Sequence, residues 1–182
     1  GGMQLFHLEG DDPYDKFLPK ISSVVKKIVI LYVLLTALLI ILYFSNGMNL
    51  FDSVAHSFST ISTGGFSTHD QSFAYFQSNS ILFIAIIFMI IGSIPFLVIA
   101  QTSINNMFAT IKDHQVRMFL LILLFSVSII YFFAHKFVDG NTIEKIIKIS
   151  FNTISIISGT GFVSENFENW GNYASVLFLI LM

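Results

Sequence analysis

Three stretches of this chain are apolar for long enough to cross a bilayer, and polar residues fence each of them. Residues 28–46 are nearly unbroken Ile, Leu, Val, Tyr and Phe around a single Thr36, and residues 81–100 and 118–137 repeat the pattern. A hydrocarbon core of about 30 Å needs about 20 helical residues at about 1.5 Å each, so each stretch predicts a transmembrane helix. A further apolar run opens at residue 174 and continues to Met182. Two other segments, 50–61 and 141–157, mix apolar and polar residues at helical spacing and are too short to cross. Each predicts a short helix that dips into the membrane and returns to the side it came from. Backbone survives at that depth only when buried in protein or lining a watery cavity.

A glycine turn follows each short helix, at residues 62–67 and 158–163, and an aromatic, polar stretch climbs back to the next span. The order span, short helix, glycine turn, span therefore occurs twice. Residues 28–100 make one pore unit and residues 118–182 an incomplete second, with the start of its last span at 174–182. A polar lead-in over residues 1–27, interrupted by Pro13 and Pro19, precedes them, and a polar connector over 101–117 joins them. Aligning Gly65 with Gly161 sets the repeat at 96 residues and pairs Ser59 with Ser155 and Ser62 with Ser158. The string from Ser57 to Ser62 recurs from Ser150 to Ser155 at a spacing of 93, so the register inside the short helices stays open. Each unit holds an even number of crossings, so the repeats run parallel, unlike the inverted repeats of many transporters.

Composition sharpens this reading. Hydrophobic residues make up 54% of the chain and charged residues 11%, against about 25% charge in a soluble domain. The expected class is an all-α integral membrane protein in contact with the lipid bilayer. A net charge of −2 with no basic stripe gives no footing for nucleic acid, and zero cysteines exclude disulfides and thiolate metal sites. Residues 1–15 show no leader pattern. Gly1-Gly2 ahead of Met3, and the apolar run stopped at Met182, are what a piece of a longer chain shows. Lys16, Lys20, Lys26 and Lys27 before the first span, with Lys112 and Arg117 in the connector, outnumber Lys136, Lys145 and Lys148. That imbalance places the connector in the cytoplasm and both glycine turns outside.

The chemistry is expected in the turns. A dehydrated monovalent cation needs several oxygens at once, each only partly charged so that the ion can leave again, and unpaired backbone carbonyls supply them. Glycine serves where a positive φ turns a carbonyl inward and no Cβ intrudes. Ser62, Thr63, Gly64 and Gly65 fit that need, and Ser158, Gly159, Thr160 and Gly161 fit it in the second turn. Each short helix aims its negative end at its turn, which favours a cation there. Phe66 and Phe162 are expected to pack outward and brace the loops. Asp70 and Glu165 are candidate acids at the outer mouth. The alternative, that each turn is merely a helix cap, does not explain two such turns in matching contexts.

Here the chain resembles a known family. The strings Met3-Gln4-Leu5-Phe6, Phe51-Asp52 and His56-Ser57-Phe58-Ser59-Thr60 look like the membrane subunit of the bacterial Trk potassium-uptake systems, within the wider Trk/Ktr/HKT superfamily. The string Ser62-Thr63-Gly64-Gly65-Phe66-Ser67-Thr68-His69-Asp70 carries the resemblance above all, and Thr160-Gly161-Phe162 with Trp170-Gly171 looks like the next filter. The likeness covers essentially all 182 residues. It implies four units forming one pseudo-fourfold pore, of which this chain holds the second and most of the third, with Gly65 and Gly161 as central filter glycines. It also implies K⁺ as the transported ion, held by the filter carbonyls. The implied setting is the bacterial inner membrane, as a homodimer beside a cytosolic nucleotide-binding subunit of the TrkA type. A gating element would lie beyond Met182, and this chain alone would not form a pore. Gly159 departs from the pattern, which leads one to expect a hydroxyl there.

Other residues carry two readings each. His56 and His69 fix the loop by hydrogen bonds, or serve a metal or a proton relay. Asp52 satisfies free N–H groups at its helix start, or attracts cations at the mouth. Gly92-Ser93 with Pro95 kinks the second span, or forms a hinge. Asp113 and Arg117, at helical i,i+4 spacing, form an ion pair or meet a regulatory subunit. Within the cation class, K⁺ against Na⁺ and channel against coupled transporter stay open. The rival classes have weaker footing. An intramembrane hydrolase needs a base beside its Ser, and residues 137–182 contain no His. A secondary transporter of another fold would place a charge inside a span, and residues 28–44, 81–100 and 118–134 have none. A purely structural anchor gives no reason for paired glycine turns.

Overall fold

The computed structural model of the chain describes residues 14–101 and 111–181, so residues 1–13 of the lead-in, 102–110 of the connector and Met182 lie outside the described residues. The described chain is helical throughout, as the sequence predicts, and contains no strand. It runs α1 (Tyr14–Ser45), α2 (Leu50–Ile61), a 3₁₀ helix (Ser72–Phe76), α3 (Asn79–Ser93) and α4 (Phe96–Gln101). There follow α5 (His114–Ala134), α6 (Thr142–Ile157), a second 3₁₀ helix (Phe167–Trp170) and α7 (Asn172–Leu181).

Three boundaries differ from the sequence expectation. Residues 14–27 are helical and continuous with the first apolar stretch: α1 starts at Tyr14 and runs through Pro19 without the expected interruption, and lysines in this stretch are good helix formers. The span expected over 81–100 is two helices. Pro95 disfavours the α conformation in the residue before it, and Ile94 is accordingly extended (φ −76°, ψ 130°). The last turn tightens, with Ile94 N–H donating to Ile91 O at 3.2 Å, and the Ser93 hydroxyl donates back to Met89 O at 2.7 Å. At about 1.5 Å per residue α3 alone is about 22 Å long, short of a full crossing. Finally, α5 begins four residues before 118, because the Asp113 side chain caps it. Its carboxylate accepts from the N–H groups of Gln115 (2.8 Å) and Val116 (3.3 Å), and the expected ion pair with Arg117 is not formed.

The two short helices are capped at both ends. Asn49 Oδ1 accepts from Asp52 N–H at 2.7 Å to start α2, and the Glu144 side chain reaches back to Asn141 N–H at 3.1 Å to start α6. Both helices stop at a serine in the right-handed conformation, Ser62 and Ser158. Helix α1 lies along α2 and α4, α5 along α6, and α3 packs both on α2 of its own unit and across onto α6 of the next. One apolar cluster therefore runs through both units, from Leu39 and Tyr43 through Ile61, Phe73 and Met89 to Phe151, Ile154 and Phe162. A smaller one joins Ile130, Ile149, Trp170 and Phe178.

The outer faces hide little. In the most apolar windows of Ser22–Ser45 and His114–Ala134, only 17% and 22% of residues are buried. Leu34, Ile41, Leu124, Phe125 and Phe132 stand exposed along them. A soluble protein buries such helices, so these faces require an apolar solvent. The protein is an integral membrane protein.

Candidate functional site: two glycine turns

Both turns leave their helices with the same alternation of backbone hand. In the first, Thr63 (φ 50°) and Gly65 (φ 71°) are left-handed and Gly64 between them is not; in the second, Gly159 (φ 71°) and Gly161 (φ 83°) flank Thr160 in the same way. The spacing of 96 is therefore the structural one here, with Thr63 matched to Gly159. Thr63, β-branched at positive φ, holds a conformation that costs a residue of its type about 1–3 kcal/mol. The hydroxyl missing at Gly159 is thus missing where glycine is the unstrained choice.

Hydrogen bonds mark out which carbonyls are free. Ser62 O accepts from Thr63 Oγ1 at 2.8 Å, Phe162 O from Ser155 Oγ at 2.8 Å, and Val163 O from Ala74 N–H at 3.2 Å. Among the described residues, the carbonyls of Thr63, Gly64 and Gly65, and those of Ser158, Gly159, Thr160 and Gly161, accept none. Of the eight residues singled out in the two turns, Ser62 alone has its carbonyl committed. The C-terminal ends of α2 and α6 adjoin these open windows and bring the negative half of each helix dipole to them.

A clasp behind each turn holds it to its helix. The buried Asp52 carboxylate accepts from Thr68 Oγ1, from Asn49 Nδ2 at 2.7 Å and from His69 Nε2 at 3.0 Å. His56 donates from Nδ1 to Asp52 O (2.8 Å), which leaves Nε2 to accept from Ser67 Oγ (2.9 Å). Both histidines thus fix the loop. Asp52 ties the returning strand, while the capping expected of it falls to Asn49. Among the described residues, no group of three His, Cys, Asp or Glu side chains is placed to hold a metal ion. The second unit uses Asn152, which is 96 residues after His56. Its Nδ2 donates to Ser164 Oγ (2.8 Å) and its Oδ1 accepts from Ser164 N–H (3.1 Å). Tyr43, on α1, adds a buried hydroxyl contact to Thr60 at 3.0 Å.

The two turns touch each other, a contact that no local pattern announces. A Cβ built on Gly65 overlaps the Thr160 carbonyl, whereas one built on Gly161 meets nothing within 4 Å. The two phenylalanines expected to brace the loops also part company. Phe162 is 2% exposed, its ring 4.5 Å from that of Phe73. Phe66 is 81% exposed and braces nothing among the described residues. Phe162 has the first unit's exit segment to pack on, and Phe66 has no such neighbour among the described residues. Ser59, matched to Ser155, likewise has a buried hydroxyl without a described partner.

Of the two expected outer acids, Asp70 is exposed on the loop after the first turn. Glu165 instead pairs with Lys148 at 3.8 Å and borders a cavity of about 560 Å³ between the units, together with Gln71, Asn79 and Glu144. Burial pushes the Glu165 carboxyl above its usual range, with Lys148 opposing.

The chain matches the family model TrkH, described as a cation transport protein, over residues 5–182. It is similar along its whole length, at 31% identity, to the Trk system potassium uptake protein TrkI of Halomonas elongata, of which it covers 37%. Over 98% of the chain it is 33% identical to the Trk system potassium uptake protein TrkH of Vibrio parahaemolyticus, covering 38% of that protein. The crystal structure of the potassium transporter TrkH from Vibrio parahaemolyticus shares its fold with a TM-score of 0.80 and 27% identity, over 97% of this chain and 37% of that one. The chain spans a little over a third of the length of these relatives. A family match over nearly every residue, on helices arranged as in a solved relative, means that this chain belongs to the TrkH family of cation transport proteins.

Proposed function

We propose that this chain contributes two of the four units of a potassium-uptake pore, in which backbone carbonyls of the glycine turns replace the water around K⁺. The observation that carries this reading is the pair of matched windows of uncommitted carbonyls, Thr63–Gly65 and Ser158–Gly161, each at a helix C-terminus. Such oxygens coordinate a monovalent cation without binding it too tightly to release. Relatives named as potassium uptake proteins support K⁺ as the cargo. Two turns supply only part of a coordination shell, so the remaining oxygens come from further units of the same polypeptide, the whole working as a homodimer in the bacterial inner membrane. A cytosolic nucleotide-binding subunit of the TrkA type regulates it. The turns face outward, and Asp70 with Glu165 lies toward the outer mouth.

The test is uptake of radioactive Rb⁺ by cells lacking their own K⁺ importers. They would express the complete gene product carrying this chain, as wild type, Gly65→Ser or Gly161→Ser, at matched membrane abundance. Wild type should take up Rb⁺, and each serine should cut uptake roughly tenfold or open it to Na⁺, since it strains a left-handed position by about 1–3 kcal/mol. Uptake that survives both changes with the same ion preference would return the glycines to being helix caps. An Na⁺-preferring wild type would turn the reading toward a sodium transporter of the same superfamily.

A further inference from the structure

The second turn is held from outside its own unit. Val163, two residues past Gly161, has both backbone groups bound across the unit boundary. Its N–H donates to Ser72 Oγ at 3.2 Å, a bond spanning 91 residues of sequence, and its carbonyl accepts from Ala74 N–H at 3.2 Å. Phe73, between these two, is buried and carries the Phe162 ring at 4.5 Å and the Phe151 ring at 5.2 Å. Ser72 itself sits at φ 52°, a conformation that serine adopts only when its surroundings enforce it. Its N–H is anchored to His69 O at 2.9 Å, and His69 is in turn bound to Asp52. A continuous path of hydrogen bonds thus leads from the Asp52 clasp behind the first turn, through Ser72, to the strand leaving the second.

We propose that Ser72 is a positioning residue that sets the spacing between the two neighbouring sets of filter carbonyls, and so tunes ion selectivity without touching the ion. The Gly65 backbone lies against the Thr160 carbonyl, so the turns are in register only while the second strand is held where Ser72 and Ala74 hold it. Number and spacing of carbonyls govern which monovalent ion replaces its hydration shell best. Losing the Ser72 hydroxyl leaves Val163 N–H without its partner and lets the second turn drift from the first. This inference rests on the cation-pathway reading above.

The experiment measures the Na⁺-to-Rb⁺ uptake ratio of the complete gene product for wild type, Ser72→Ala, Ser72→Gly and Ser72→Thr. A ratio is independent of how much protein reaches the membrane, and glycine relieves the positive φ, so its effect cannot be laid to misfolding. Threonine keeps the hydroxyl, and Thr63 shows that this chain holds threonine at φ 50°. Alanine and glycine should raise the ratio roughly two- to tenfold, the range that one lost hydrogen bond carries, with threonine close to wild type. Unchanged ratios in Ala and Gly, or a Thr variant as shifted as Ala, would overturn the inference and leave the potassium reading standing. A wild type that moves neither ion would overturn both.

Discussion

Gly65 and Gly161 hold matching places, and a methyl group at each should have unequal consequences. Both are left-handed, at φ 71° and 83°, so alanine at either strains the backbone by about 1–2 kcal/mol. At Gly161 that strain is the whole cost within this chain, because its Cβ position is open. At Gly65 the methyl also overlaps the Thr160 carbonyl, and relieving the overlap means moving the neighbouring turn, at a further 1–3 kcal/mol or so. The thermal inactivation midpoint of the purified protein should therefore drop about one and a half to four times as far for Gly65→Ala as for Gly161→Ala. Equal drops would show that the turns do not touch. Asp52 carries a related lesson. Its place near a helix start suggested capping, but Asn49 already serves that end, and the carboxylate is free to gather Asn49, Thr68 and His69.

Among elements, α3 is the one that local pattern described least well. Pro95 announced a disturbance, and the structure makes it a full break at Ile94, next to the point where Gly92 meets the end of α2. A Cβ on Gly92 would stand 2.7 Å from Ile61 O. In an exposed helix, replacing glycine by alanine stabilises by about 1 kcal/mol. Here the sign should reverse, with Gly92→Ala lowering the inactivation midpoint and loosening the contact between α3 and the α2 end that adjoins the first turn. A raised midpoint would mean that α3 stands further from α2 than this packing requires. The short helices α2 and α6 were easier to read, since their caps and the glycine turns that follow are written within a few residues. They end 96 residues apart, at Ile61 and Ile157, but start 92 apart, at Leu50 and Thr142, so the spacing of 96 holds at the turns and not at the helix starts.

For the molecule as a whole, the junction between units is built around an aromatic core, with hydrogen bonds and a polar cavity beside it. Phe73 stands at its centre, with rings of Tyr43, His56, Phe76, Phe151 and Phe162 within 4.5–6.0 Å. Phe73→Ala should cost about 3–5 kcal/mol, enough to bring membrane abundance down severalfold, with protease sensitivity appearing in both units together. Sensitivity confined to residues 62–80 would show that the units fold independently. Phe66, by contrast, stands exposed, with no described residue packed over it.

The sequence by itself determined what depends on neighbours within a few turns of helix: the long apolar helices α1 and α5, the short helices after them, the glycine turns that follow those helices, and the repetition of the set. These follow from bilayer thickness, helical rise and backbone freedom, which act locally. Only the tertiary structure decided what passes between the units. The contact of Gly65 with Thr160, the different fates of Phe66 and Phe162, and the hold of Ser72 on Val163 join residues some 90 or more positions apart. No periodicity encodes such pairs, because each is set by where two separately formed helices come to rest against a shared core.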